Sequence, residues 1–390
     1  MKFFHTADWH LGKIVQGVHM TDDQRFVLEQ FIEAARQERP DAIIIAGDLY
    51  DRAVPPTEAV RLLDEVLSDI VLGLEIPVIA VAGNHDSPNR LHFGSSFMSR
   101  KGYHISGLLS KGRGPVVLSD ASGEVHFHCV PFADPSVVRS IYEDPSVSGH
   151  DAAMACILDD VCGRMDEDAR HVFVGHAFVT PGAEPEDNTS TSERPLSIGG
   201  AEYVDAGRFR QFHYTALGHL HQAHPAGSET VRYSGSPLKY SISEEHHRKG
   251  FLAVELDADG EVTVEHRPLT PRRDMRTVEG TLRELLEMEP SEDYIFVRLL
   301  DRAPVLYPME RIRTVFPNAL HIERALPVHQ DRTTRPKDSM SRMDDLAMFR
   351  AFHEEIQGEE PDEETEKLFR EVLDDLLGAE RESGKETVRK

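Results

Sequence analysis

DAIIIAGDLYD, residues 41–51, sets the terms on which this chain is read. The run Ala42 to Ile45 is short, apolar and β-branched, so it reads as a buried strand. It ends in a Gly and then in two carboxylates, Asp48 and Asp51. An isolated buried carboxylate is costly to ionise, so a carboxylate at the mouth of a core strand implies a cation, a donor or a reaction.

The same theme recurs outward from this stretch. FFHTAD and PVIAVAGNHD are also short apolar runs that end in polar residues including an Asp. Between the runs, Val27, Leu28, Phe31, Ile32 and Ala35 share one helical face, and Leu63, Leu67, Ile70, Val71 and Leu74 share another. This βαβαβ pattern predicts an α/β fold with a largely parallel sheet, and function in the loops at the carboxyl ends of its strands. From about residue 114, GPVVLSD and EVHFHCVPF alternate like strands of a second sheet, and a helix follows near Ala152 to Met165. HVFVGH and YTALGHLH repeat the ending of apolar run, Gly and then a metal-type residue. Ala183 to Pro195 reads as a polar surface loop. RYSGSP and GFLAVELDADGEVTVEHRPL read as closing strands, the second a hairpin turning at Asp257 to Gly260.

A metal-bearing domain is therefore expected over 1–267. A small α+β domain over 268–330 follows, with RTVEGTLRELLEM as a helix start, YIFVRLL and LHIERAL as strands and PMERIRTVF as a helix. The polar, Pro-containing stretch around 331–342 reads as a linker. An arm of two amphipathic helices over 343–390 surrounds the acidic turn GEEPDEE. In the arm, Leu346, Phe349, Phe352 and Ile356 line one face, and Leu368, Phe369, Val372, Leu373 and Leu376 line another.

Composition bounds the function. The 390 residues are 39% hydrophobic, enough for a sizeable core. Forty-three basic against 68 acidic side chains leave a net charge of −25, which argues against a surface that holds nucleic acid by charge alone. Cys129, Cys156 and Cys162 do not make a disulfide framework, so a reducing cytoplasm is expected. MKFFHTADWH has no leader-like apolar region, and no run approaches the roughly 18 apolar residues of a membrane span.

The residues at the strand ends are Asp8, His10, Asp48, Asn84, His85, His176, His219 and His221. Residues i and i+2 of an extended chain point to one side, so Asp8 with His10, and His219 with His221, can each converge on one cavity. Mixed oxygen and imidazole donors suit Mn, Fe or Zn better than Mg or Ca. A carboxylate can bridge two such ions, and two ions can activate water and steady the leaving oxygen of a phosphoryl displacement. Asp48 reads as that bridge and Asp51 as a residue that orients a neighbour. Each fragment alone is weak: a single D-x-H or H-x-H is more often an ordinary hydrogen-bonded histidine, and GNHD could be a tight turn. All of them occur in order, each after an apolar run, and together they argue for a metal site.

D-x-H, GD-x-x-D, GNHD, GH and GH-x-H in this order resemble the calcineurin-like metallophosphoesterase superfamily, whose fold is a pair of packed sheets flanked by helices. Within it, HTADWHLGK, GDLYDR, GNHDSPNRL, ALGHLHQ and YSGSPLKYS are similar to the SbcD family of bacterial nuclease subunits. The resemblance implies two metals, most readily Mn, one held by Asp8, His10, Asp48 and His221, the other by Asp48, Asn84, His176 and His219. It implies that His85 acts on the scissile phosphate rather than on metal, with Asp86 fixing its tautomer. The expected function is a DNA exonuclease and endonuclease acting on duplex ends, hairpins and single strands, and the expected assembly is a homodimer with an SbcC-like coiled-coil ATPase docked on the C-terminal arm. Arg272, Arg273 and Arg276 are a candidate basic contact for DNA, or simply a solvated face. A small-substrate phosphatase or cyclic-nucleotide phosphodiesterase is the alternative in the same chemistry, but it needs nothing after residue 268. A subunit that only grips DNA ends is the alternative in another class, but it does not need His85.

Overall fold

The computed structural model describes residues 1–183, 190–191, 193, 203–301, 303–324, 345–357 and 359–373. The expected linker at 331–342 lies outside them. The chain divides into two units. The first comprises Met1–Thr277, Pro290–Phe296 and Phe316–His321; the second comprises Val278–Glu289, Val297–Val315 and Ile322–Lys390.

Two six-stranded sheets build the first unit. In one, Lys2–Thr6, Ala42–Ile45, Val78–Val81 and Tyr103–Ser106 run parallel and side by side, and the hairpin of Gly250–Leu256 and Val262–Pro268 adds antiparallel to Lys2–Thr6. In the other, Gly123–Val130, Arg170–His176, Tyr214–Gly218 and Val231–Tyr233 run parallel, with Val116–Asp120 antiparallel at one edge and His224–Pro225 at the other.

Ile43 and Ile45 pack beneath the helices with Val27, Leu28 and Phe31. Ile44, between them, faces the other way and packs with Phe127, Val172 and Val174 of the second sheet. The strand is buried on both faces, which is why its sequence shows no polar alternation. Each Ile side chain so buried contributes roughly 1.5–3 kcal/mol.

The helix Thr21–Glu38 buries Val27, Leu28, Phe31, Ile32 and Ala35, the face read from the sequence. The second helix, Thr57–Leu67, continues as a π-helical turn over Ser68–Gly73. Leu63, Ile70, Val71 and Leu74 of the face read from the sequence are buried, Leu67 packs partly buried against the same core, and Ala59, Leu62 and Val66 join them. The helix expected near Ala152 runs over His150–Cys162.

RTVEGTLRELLEM is half strand. Met275–Gly280 is extended, and the helix begins only at Leu282, where Thr281 and Glu284 form a reciprocal capping box. Arg273 donates to Asp23, and Arg276 to Asp293. Two of the three arginines at this junction are thus neutralised within the protein, which favours the solvated-face reading of that cluster.

In the second unit, Asp345–Gln357 and residues 363–373 are helical. Phe349 stacks on Phe369 with ring centroids 4.0 Å apart, and Arg350 pairs with Glu366. Phe352, Leu368 and Val372 remain exposed. The side chains of Ile356 and Leu376, also read as face residues, lie outside the described set. Among the described residues, no helix is long and apolar enough to cross a membrane.

The two-sided burial of the strand gives a stability prediction. Ile44→Ala should cost about 2–5 kcal/mol in denaturant titrations, the range for a large-to-small change in a close-packed core. A loss below about 1 kcal/mol would mean that the inter-sheet core is not packed as described.

Candidate metal centre

The site is assembled by loops that keep pairing after their strands end. The backbone N–H groups of Asp8, His10 and Leu11 donate to the carbonyls of Gly47, Asp48 and Leu49 at 3.0, 2.9 and 3.0 Å. This zips DWHL to GDLY at the carboxyl edge of the sheet. Within the zipped loops Asp8, His10 and Asp48 adopt positive φ of 54°, 44° and 50°, and His219 adopts 117°. Non-glycine residues in such regions cost on the order of 1–3 kcal/mol each and persist only when the surroundings hold them.

Buried polar side chains supply that hold. Gln24 donates from Nε2 to the carbonyls of Trp9 and His10 at 3.1 and 2.8 Å, and accepts from the Gly12 N–H at 3.1 Å. Tyr240 also donates to the Trp9 carbonyl, while the fully buried Trp9 donates its indole N–H to Thr6 Oγ1. Asp86 accepts from the backbone N–H groups of Leu49, Tyr50 and Gly83, tying the 48–50 loop to the 83–86 loop. Its carboxylate is therefore committed to the loops. His85 takes its orientation elsewhere, from the Asp51 carbonyl, to which its Nδ1 donates at 2.8 Å. Asp51 thus orients a neighbour, as expected, but through its backbone, and the tautomer role read for Asp86 falls to Asp51.

The glycines of the motifs are explained by the same crowding. A Cβ on Gly83 would lie 2.1 Å from Asp48 Oδ1, and one on Gly47 would lie 2.3 Å from His176 Nδ1. The side chains of the site occupy the space that any other residue would need.

Asp8, His10, Asp48, His176, His219 and His221 are all buried, while Asn84 and His85 are half-buried. Asp8, His10 and His221 bring ligand atoms within 4.8 Å of one another, and so do Asp8, Asp48 and His176. Asp48 Oδ1 accepts the His85 N–H at 2.8 Å, while Oδ2 stands between the two groups, 3.6 Å from His10 Nε2 and 3.4 Å from His176 Nε2. Both oxygens of Asp8 accept the His219 N–H at 3.1 Å. The His219 ring packs against His176 with centroids 5.5 Å apart.

Burial, together with the neighbouring imidazoles, lowers His10 and His219 well below the ordinary histidine value. Burial also brings His176 down to about 4. All three are therefore neutral, lone-pair-bearing imidazoles at neutral pH. Burial, and then the charge of Asp48, pushes Asp8 well up; burial raises Asp48 as well. Asp86 is pushed up to about 7, by burial and then by Asp48. Among the described residues, no Lys or Arg pairs with Asp8 or Asp48.

The donor set fits divalent metal ions. His176 donates Nδ1–H to the Ala46 carbonyl at 2.9 Å, so its Nε2 carries a lone pair, and that lone pair faces Asn84 Oδ1 at 2.9 Å. His10 Nε2 and His221 Nε2 face each other at 3.1 Å, and His10 Nδ1 is buried without a hydrogen-bond partner. Electron-rich atoms converging beside two uncompensated carboxylates are relieved by cations, and mixed oxygen and nitrogen donors suit first-row divalent ions.

Residues 1–223 match the family model described as calcineurin-like phosphoesterase, which includes every residue of this cluster. Residues 271–357 match the model described as the Type 5 capsule protein repressor C-terminal domain. The chain is 34% identical over 381 residues to the SbcD subunit of the SbcCD nuclease of Staphylococcus saprophyticus, covering 97% of this chain and 99% of that protein. The chain belongs to the SbcD family of calcineurin-like phosphoesterases. The SbcD subunit of Staphylococcus epidermidis is a second relative in this family, 32% identical over 91% of this chain and 93% of its own length. A solved dimetal phosphatase from Danio rerio is 14% identical, with a TM-score of 0.42, over 70% of this chain and 97% of its own. Membership makes the chain a metal-dependent phosphoesterase by class, consistent with the converging His and Asp groups.

Sequence reasoning names every side chain at the centre of the cluster, and the structure brings them together. It misses the supports Gln24, Tyr240, Glu193, Glu244 and Lys249. The loop read as polar surface turns inward at two of its described residues: Ser190 is buried, and Glu193 accepts the His221 N–H at 2.7 Å. A mid-chain carboxylate without a motif offers no signal of that kind.

The crowding and the charges can each be tested. Gly83→Ala should displace Asp48 and lower metal content at least about tenfold without unfolding the chain, as read by elemental analysis and circular dichroism; full metal content would remove the crowding argument. The second test concerns pH. A carboxyl whose folded-state pKa is raised binds its proton more tightly folded than unfolded, so its contribution to stability is lost as pH rises from the ordinary carboxylate range up to the folded value, about 7 for Asp86. The buried His10, His176 and His219, held below the ordinary histidine value, work in the opposite direction over the same range, so the readout is the Mn-induced shift in melting temperature rather than the melting temperature itself. That shift should grow as pH rises toward neutrality, because protons on Asp8 and Asp48 compete with the ion. A shift that is independent of pH or falls toward neutrality would contradict this assignment.

Proposed function

We propose that the chain is a metal-dependent DNA nuclease, cleaving exonucleolytically and endonucleolytically as the SbcD-like subunit of an ATP-dependent complex. The observation that carries this reading is the half-buried His85 at the rim of a buried ligand cluster, in a chain that matches nuclease subunits over nearly its whole length. Asp8, His10, Asp48 and His221 would hold one ion, and Asp48, Asn84, His176 and His219 the other. The chemistry such ions supply is Lewis-acid activation of water and of the phosphoryl group.

The chain's own residues supply the proton and the geometry. Asp51 fixes His85 as the Nδ1–H tautomer, since a carbonyl oxygen only accepts. Nε2 is then the atom that takes and gives a proton. Protonated there, His85 donates to the leaving oxygen as the phosphorus–oxygen bond breaks, or stabilises charge on the phosphoryl oxygens. Lys13, ion-paired to Asp51 Oδ1 at 2.8 Å, steadies that support.

The SbcC-like coiled-coil ATPase would dock on the C-terminal helices, where exposed Phe352, Leu368 and Val372 flank the Phe349–Phe369 stack. Sixteen acidic against eight basic side chains over 340–390 make the arm a poor grip for DNA. Exposed Phe93, which follows the short helix Pro88–His92, and Phe97, on the short helix Ser95–Met98, offer a homodimer an apolar contact. The three cysteines are free, as a reducing cytoplasm requires.

His85→Ala should abolish Mn-dependent cleavage of linear duplex DNA while metal content stays at the wild-type level. Retained cleavage, or an emptied site, would refute its role. Mg alone should support little activity, because imidazole-rich sites fit its octahedral oxygen preference badly. A chain truncated near Arg335 should keep its metals and its cleavage of single strands, yet no longer co-purify with the ATPase. Unchanged binding to the ATPase would exclude the arm as the docking element.

A further inference from the structure

Behind His221 lies a charged pair that the motifs do not contain. Glu244, wholly buried at the end of the short helix Ile242–Glu244, accepts from His221 Nδ1 at 3.0 Å. Its other oxygen meets Lys249 Nζ at 2.5 Å. Lys249, also buried, donates in addition to the His221 carbonyl and to Ser236 Oγ, both at 2.8 Å. Ser190 Oγ donates to Glu244 Oε1 at 3.1 Å. The supports of two other site histidines differ in kind. His176 and His85 donate their Nδ1–H to backbone carbonyls, whereas His221 alone among the three has a carboxylate.

A carboxylate accepts and cannot donate, so the proton of neutral His221 sits on Nδ1 and the Nε2 lone pair points toward His10 Nε2, 3.1 Å away. A carboxylate partner also raises the basicity of an imidazole ligand more than a neutral acceptor does. Placed alone, however, Glu244 would add a further negative charge beside Glu193, Asp8 and Asp48. Lys249 cancels it. The same ammonium grips the His221 carbonyl, so a single cation fixes the backbone of the ligand and the charge of its orienting group.

We propose that Glu244 and Lys249 act as a charge-compensated positioning pair, holding His221 in the Nδ1–H tautomer so that its Nε2 serves the metal centre. This inference rests on the reading of the cluster as a metal centre, and it adds to that reading the residues that set the affinity of one of its halves. Both are positioning residues, since each acts on the centre through His221.

Removing one member of a buried pair strands the other, so single variants confound positioning with folding. The test therefore compares two neutral double variants, Glu244→Leu with Lys249→Met and Glu244→Gln with Lys249→Met. The first removes the acceptor, and the second keeps one. Mn binding is measured by titration without DNA, and the His221 tautomer is read from imidazole nitrogen shifts in metal-free protein. The Leu/Met variant should fold yet bind Mn roughly 10–100-fold more weakly at one site, and the Gln/Met variant should recover part of that loss. Wild-type His221 should carry its proton on Nδ1. Wild-type Mn affinity in the Leu/Met variant, no recovery in the Gln/Met variant, or an Nε2–H tautomer in the wild type would each overturn the proposal. Because binding is read without DNA, a chain that binds Mn but cleaves nothing overturns the nuclease reading while these titrations still decide the positioning one.

Discussion

Two carboxylates that share a desolvated pocket, with no paired Lys or Arg among the described residues, organise the loops of the first unit. Asp8 and Asp48 are buried at adjoining strand ends, and the charge of Asp48 raises the proton affinity of Asp8. The strands and loops around them bring them there and make their proximity tolerable. The parallel strands Lys2–Thr6 and Ala42–Ile45 align their carboxyl ends, and the zipped loops beyond them fix the two side chains. Neutral imidazoles line the remaining space, and burial keeps them neutral.

Such a pocket works against the fold unless cations complete it. Positive φ at Asp8, His10, Asp48 and His219 adds local backbone cost, borne by a core buried on both faces of its sheet. Gln24, Asp86 and Glu244 then fix, respectively, the 9–12 loop, the 48–50 loop and the His221 ring. Each is a buried polar side chain whose partners are mostly backbone groups or a ligand. Stability and reactivity meet in these three residues.

Much of this is legible in the sequence because strand endings are local. Apolar run, Gly and ligand is a pattern within six residues, and the Gly is demanded by the crowding found at Gly47 and Gly83. The supports are not legible, because their roles depend on contacts across long separations. Gln24 is an ordinary polar residue of an amphipathic helix until its amide meets the Trp9 and His10 carbonyls. The H-x-H of His126 and His128 shows the converse. It has the same spacing as His219 and His221 but lies inside a strand rather than after one, and its rings bond to Glu124 and His171 away from the cluster. Position at the strand end, more than spacing, separates the histidines of the cluster from ordinary ones. The start of the α+β region departs from the periodic reading for a related reason: a capping box sets where its helix begins at a single residue.

The central proposal is that Asp48 is shared between two ions. Crystals grown with Mn and measured at the Mn absorption edge test it most directly. The account predicts two anomalous peaks about 3.5–4 Å apart, with Asp48 Oδ2 between them. One peak only, or a second peak out of reach of Asp48, would contradict it.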